Sequence, residues 1–268
     1  MIASAWFAAA VACALWWAST GLILRGIAVM DQRRDIAPGV VCVASLPLLG
    51  LGALLMSAAQ ALPTTTGDYA GFVGALAIWG WIEISFLTGV ITGPRPFPCP
   101  AGISHWERFW RGFGTIAYHE AALVLGLVAV IYAHTDATNP TGLWVYALLF
   151  AARISAKLNL FLGVPHVHSD FLPRALAHMP SHFRRQRINA LFPVSAALLG
   201  WVAIAFALRA TASSDPRDGL IAALAGLALL EHVLLVLPLP DDKLWRWMLP
   251  APKEEKSPKP FKEDANGI

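Results

Sequence analysis

Residues 141–170 read TGLWVYALLFAARISAKLNLFLGVPHVHSD. The segment opens as an apolar run of about twenty residues, the length that crosses a bilayer as a helix. Inside it, Arg153 and Lys157 stand four residues apart and therefore share one helical face. Two cations one turn apart in hydrocarbon-grade sequence need partners. The run breaks at Gly163 and Pro165 and leaves through His166, His168 and Asp170. The stretch thus predicts a membrane helix with a basic face, and it directs the search to carboxylates on neighbouring helices.

The rest of the 268-residue chain agrees with that setting. It is 57% hydrophobic and only 14% charged, with a mean hydropathy of +0.58; an ordinary soluble domain is about a quarter charged. Apolar runs fall at about 2–24, 36–62, 69–92, 113–134, 141–162, 190–208 and 219–239. The predicted fold is all-α: a polytopic integral membrane bundle of about seven transmembrane helices over residues 1–239. A tail, 240–268, begins with the interfacial-looking Trp245 and Trp247 and continues too polar to fold alone. The first run has no basic segment ahead of it and reads as a retained span rather than a signal peptide. Pro47 predicts a kink in the second span. Ser104 is placed to cap the fourth helix. In the loop after residue 163, Phe171, Leu172, Ala175, Leu176 and Met179 recur at helical spacing behind Asp170, which predicts a short helix on the membrane surface. Three cysteines, Cys13, Cys42 and Cys99, are too few and too scattered for a disulfide framework.

Charge sets the expected orientation. Sixteen of the 20 Lys and Arg fall in alternate loops and the tail; the other side has only Arg209 and Arg217, and Arg153 and Lys157 are intramembrane. The N-terminus is expected outside and the C-terminus in the cytoplasm.

Seven ionisable groups fall inside spans: Glu83, His119, Glu120, Arg153, Lys157, Glu231 and His232. At 1.5 Å per residue, each lies roughly 9–15 Å from the cytoplasmic end of its span. Helices of alternating direction thus bring these groups to one depth, and with Asn159 they form the candidate ligand-binding set. One reading is an internal ion-pair network that holds the bundle together. The other is a site for a ligand, pigment or metal. Carboxylate and imidazole suit a transition metal, but His119-Glu120 and Glu231-His232 are adjacent pairs, not the Glu-x-x-His spacing of di-iron bundles. Neutral imidazole could also ligate the magnesium of a chlorin. His166, His168 and Asp170, with His178 and His182 nearby, are a weaker candidate for metal chelation. No phosphate loop, nucleotide fingerprint, Ser/His/Asp arrangement or nucleic-acid module is present.

Several stretches resemble one family. These are Glu83-Ile-Ser-Phe-Leu-Thr-Gly89, Thr92-Gly-Pro-Arg95, Cys99-Pro100, Tyr118-His119-Glu120, the run from Arg153 to Pro165, and Leu191-Phe-Pro-Val194. They resemble the photosynthetic complex assembly proteins of the PuhE type over roughly residues 79–194. The resemblance implies a multi-pass protein of the bacterial inner (intracytoplasmic) membrane. It implies a role in assembling the reaction centre and light-harvesting antenna through bacteriochlorophyll handling or supply. The implied partners are the lipid bilayer and reaction-centre, light-harvesting or pigment-biosynthesis proteins. The ligand candidates are bacteriochlorophyll or a precursor, ahead of a transition metal. The alternative is a membrane metal-dependent enzyme acting on a tetrapyrrole or quinone at the Glu/His cluster. The family brings no established catalytic residues, so none is assigned.

Overall fold

The computed structural model describes residues 4–33, 35–167 and 172–238. It is helical throughout. The order is α1 (Ala5–Gln32), α2 (Pro38–Ala44), α3 (Leu46–Gln60), α4 (Thr65–Leu87), α5 (His105–Ala133), α6 (Thr141–Leu162), α7 (Leu191–Ser213) and α8 (Pro216–Leu234), with two 3-10 turns between α6 and α7. Among the described residues the only extended pairing is an isolated bridge between Val164 and Arg185.

Among the described residues, six helical segments are long and apolar enough to cross a membrane: α1, α2 with α3 taken together, α4, α5, α6 and α7. The chain is a polytopic helical membrane protein. The expected kink in the second span is the break between α2 and α3. Pro47 sits in the first turn of α3, and Ser45 Oγ donates to Cys42 O over 2.8 Å at the corner. The seventh expected span corresponds to α8. It is 19 residues long and carries Arg217, Asp218 and Glu231, so composition alone does not mark it as a span. It packs against α1, α7 and α6. Polar side chains cap helix starts at Thr64, Ser104 and Asp215, each accepting a backbone N–H from the first turn.

Helix α4 is the centre of the bundle. More than half of its apolar window (56%) is buried, against 17% or less for the other five spans. Small residues let its neighbours come close: a side chain on Gly74 would meet Gly52 O of α3 at 2.9 Å. Around α4 the core gathers Phe72, Ile82, Leu123, Tyr146, Leu220 and Leu224.

Two loop segments depart from the sequence expectation. The third apolar run was predicted to stay in its span to residue 92, but α4 ends at Leu87 and the chain turns back against α5. Thr92 O accepts from the N–H groups of Tyr118 (2.9 Å) and His119 (3.1 Å), while Arg95 N–H donates to Gly114 O (3.1 Å). Non-helical backbone at this depth is tolerated because the neighbouring helix satisfies it. The surface helix expected after Asp170 is also absent from the described part. Residues 174–176 and 179–182 form 3-10 turns instead. Pro173 and Pro180 confine any helix to one interval, since an interior proline removes a ladder bond and clashes with the preceding turn. Leu176 and Met179 turn inward onto Phe86 of α4. The expected cap Asp170, with His168 and Phe171, and the tail 240–268 lie outside the described residues.

Candidate functional site

The basic-loop side of the bundle holds a chain of charged groups carried by α4, α5 and α6. Arg153 Nη2 donates to Glu83 Oε2 over 2.7 Å. The other oxygen, Glu83 Oε1, lies 3.7 Å from His119 Nε2. Lys157 Nζ donates to His119 Nδ1 over 3.0 Å and forms a short ion pair with Glu120 Oε1. An ammonium has no acceptor, so Nδ1 must accept and the ring proton belongs on Nε2, facing Glu83. Phe86 covers the group: its ring centroid is 4.2 Å from that of His119, and Lys157 Nζ stands 5.6 Å from its centre. Two carboxylates and two cations close the chain on itself, so the partners of Arg153 and Lys157 are the bundle's own glutamates. Four buried polar atoms within it have no partner among the described residues: Glu83 Oε1, His119 Nε2, Glu120 Oε2 and Arg153 Nε.

The fixed rise per residue brings these five residues to one depth, and helix rotation sets the direction of each. His119 and Glu120 are adjacent, so their side chains diverge by about 100° around α5. Lys157 reaches into the angle and bonds both.

The other candidate residues are placed differently. His232 is fully buried, with Nδ1 2.8 Å from Ala228 O and Nε2 2.9 Å from Ser155 Oγ. Both nitrogens are engaged, so it clasps α8 to α6. Asn159 donates to Ser155 O (3.0 Å) and Ser195 Oγ (3.1 Å), tying α6 to α7. Glu231 is an exposed residue of α8, and the charges of Arg153 and Glu83 act on it. His166 belongs to the strap after α6, where its N–H donates to Leu235 O over 3.1 Å. Among the described residues no three His, Cys, Asp or Glu side chains are gathered closely enough to share a metal ion.

The ion chain ends at a cavity of about 410 Å³ between α5, α6 and the 3-10 turns. Glu120, Arg153 and Lys157 form its polar end. Phe109, Phe113, Phe161 and Phe183 supply aromatic walls. An apolar cleft of this size with a few convergent polar groups is the usual form of a small-molecule site. Leu172, Met179, His182 and Phe183 close the cavity from the loop side, a role the sequence reading did not give them. Leu172 and Met179 recur at helical spacing and suggested a surface helix, with the two prolines as the contrary signal; His182 read as a metal candidate, and Phe183 was not singled out. A second cavity, of about 450 Å³, lies between α1, α3 and α4, and among the described residues no charged side chain lines it.

A second buried polar cluster, also missed, lies at the opposite end of the bundle. Asp68 Oδ1 accepts from Thr141 Oγ1 (2.6 Å), Asn139 Nδ2 (3.0 Å) and Arg217 Nη2 (3.1 Å). It joins α4, α6 and α8. Asp68 precedes the third apolar run in sequence and so read as loop.

Fold and cavity together define a polytopic membrane protein with an amphipathic pocket at one end of its bundle. The chain belongs to the family described as "Protein of unknown function (DUF3623)", whose model matches residues 2–256. It is similar to the "Uncharacterized 30.4 kDa protein in puhA 5'region" of Rhodobacter capsulatus. The two are 43% identical over 252 residues, which cover 92% of this chain and 91% of the relative. No solved structure matches the chain.

Proposed function

We propose that the chain is an assembly factor for bacterial photosynthetic complexes, the reaction centre and its light-harvesting antenna, and that it handles a bacteriochlorophyll-class pigment in the α5/α6 cavity. The observation that carries the proposal is the pairing of an aromatic cavity with a self-neutralised ion chain at its inner end. Aromatic walls suit a large planar apolar ligand. Glu120, Arg153 and Lys157 supply polar groups to orient it, and the basic loops near the cavity mouth agree with the expected cytoplasmic side. The relative's name, which sets it in the puhA 5' region, and the resemblance noted in the sequence support the photosynthetic context.

A second reading, a metal-dependent enzyme acting on a tetrapyrrole or quinone, is favoured by one observation. Glu83 Oε1, His119 Nε2 and Glu120 Oε2 are all buried without hydrogen-bond partners, and a metal would satisfy them once His119 Nε2 gave up its proton and the three side chains were drawn together. Purification from a phototrophic host in mild detergent, followed by an absorption spectrum and metal analysis, separates the two. Bound chlorin without stoichiometric metal supports handling. A stoichiometric redox metal lost in Glu120→Ala supports the enzyme. If deletion of the gene leaves antenna and reaction-centre absorption normal under all growth conditions, the assembly role is wrong.

A further inference from the structure

One histidine at the cavity wall takes no part in the ion chain. His182 closes the second 3-10 turn, is 3% exposed and lines the cavity. The Nδ1 side of its ring is anchored. Nδ1 lies 3.3 Å from Ser181 Oγ, which itself donates to His178 O over 2.6 Å, and the carbonyls of His178 and Met179 also act on the ring. On the opposite edge, Cδ2 faces Gly112 of α5, where an added Cβ would stand 3.7 Å away. Nε2 makes no hydrogen bond to the described residues, yet it is not among the sealed polar atoms. The ring as a whole lines the cavity.

An imidazole held through Nδ1 by hydrogen bonds, with Nε2 left free, is the arrangement by which histidine ligates a metal. A bare hydrated ion is a poor guest here, because Phe109, Phe161 and Phe183 line the same cavity and, among the described residues, no three His, Cys, Asp or Glu side chains gather to hold it. A metal that arrives inside an apolar planar macrocycle fits both the walls and the single nitrogen.

We propose that His182 Nε2 is the axial ligand to the central metal of a metallated cyclic tetrapyrrole in this cavity, so that the site selects metal-bearing over metal-free macrocycle. The proposal rests on the pigment-handling reading and names the class of pigment that the cavity takes. The step is a ligand exchange: one dative bond forms from Nε2 to the metal, and one solvent ligand leaves.

The test uses the full chain, purified in mild detergent and titrated with zinc pheophorbide methyl ester and with its metal-free counterpart. Wild type is expected to bind the zinc form about tenfold tighter, which corresponds to ~1.4 kcal/mol, with a five-coordinate signature in resonance Raman spectra. His182→Ala is expected to bind both forms alike, and added imidazole should restore the signature. His178→Ala, whose Nε2 is sealed in protein, should keep the preference. Equal binding of both forms by wild type, or a signature that survives in His182→Ala, overturns the ligand assignment and leaves the cavity reading standing. If folded wild type binds neither form, both fall.

Discussion

Arg153 of α6 donates to Glu83 of α4 over 2.7 Å, and that carboxylate is where the polar chain through α4, α5 and α6 is pinned to the central helix. Beyond it, His119 and Lys157 carry the chain to Glu120 at the cavity. The groups are few, opposite in sign and largely excluded from solvent. The cost of disrupting them therefore depends on which one is left without its partner.

Lys157→Met removes one charge and leaves Glu120 buried and unpaired. Breaking a buried pair from one side costs about 3–5 kcal/mol, whereas replacing both partners with apolar groups is often near neutral. Thermal unfolding in detergent should show a large drop in midpoint for Lys157→Met and substantial recovery in Lys157→Met/Glu120→Leu. Equal destabilisation by single and double variants would contradict the pairing.

The Asp68 cluster makes a separate stability claim. Asp68→Asn retains shape but removes the charge that holds Arg217, and a loss of about 3 kcal/mol is expected from the stranded guanidinium. Because the cluster lies at the far end of the bundle from Lys157, the two losses should add to within ~0.5 kcal/mol in the combined variant. Strong non-additivity in unfolding midpoints would mean that the ends are coupled.

Gly93 lies against the backbone of α5. A Cβ there would overlap Gly114 O and stand 2.7 Å from the Thr115 carbonyl carbon and 2.8 Å from Ile116 N. Backbone on both sides cannot yield cheaply. Gly93→Ala should detach the 91–95 segment, exposing the Tyr118 and His119 N–H groups that Thr92 O now satisfies. Faster hydrogen exchange at 115–119 in the variant is the expected readout; unchanged exchange would refute the contact.

Acid should loosen the lid of the cavity. Burial holds His178 and His182 below the ordinary histidine value, with the Arg108 guanidinium lowering His182 further. Between the depressed folded values and the unfolded value of about 6.5, the opened segment binds more protons than the closed one, so closure weakens as pH falls through that window. Hydrogen exchange across 172–183, corrected for intrinsic rate, should accelerate from about pH 7 to pH 5. The acceleration should shrink in His178→Ala/His182→Ala.

The sequence made the bundle legible because membrane spans are long and continuously apolar. Thr141–Leu162 appears in the structure with the ends that its apolar run suggested, and Gly163, at φ 122°, ends the helix in a conformation that L side chains rarely adopt. Depth arithmetic put Glu83, His119, Glu120, Arg153 and Lys157 at one level, because rise per residue is fixed. It carried no rotation, so it did not show that Glu231 is an exposed residue or that His232 turns to Ser155. Asp68 went unnoticed because its partners, Asn139, Thr141 and Arg217, lie more than seventy residues away. The lid was misread because periodicity at 172–179 outweighed Pro173 and Pro180.

The central claim, that the α5/α6 cavity holds a pigment-class ligand, is tested most directly by co-purification. Gly112 borders the cavity beside His182 and Phe161, with room for a methyl group, so Gly112→Leu crowds the space from a residue outside the ion chain. Wild-type and Gly112→Leu protein from phototrophic membranes should be extracted and their absorption spectra compared at equal protein. The account predicts chlorin absorption in wild type and its loss from Gly112→Leu at an unchanged helical circular dichroism spectrum. Absence of pigment from folded wild type, or equal pigment in both proteins, would contradict it.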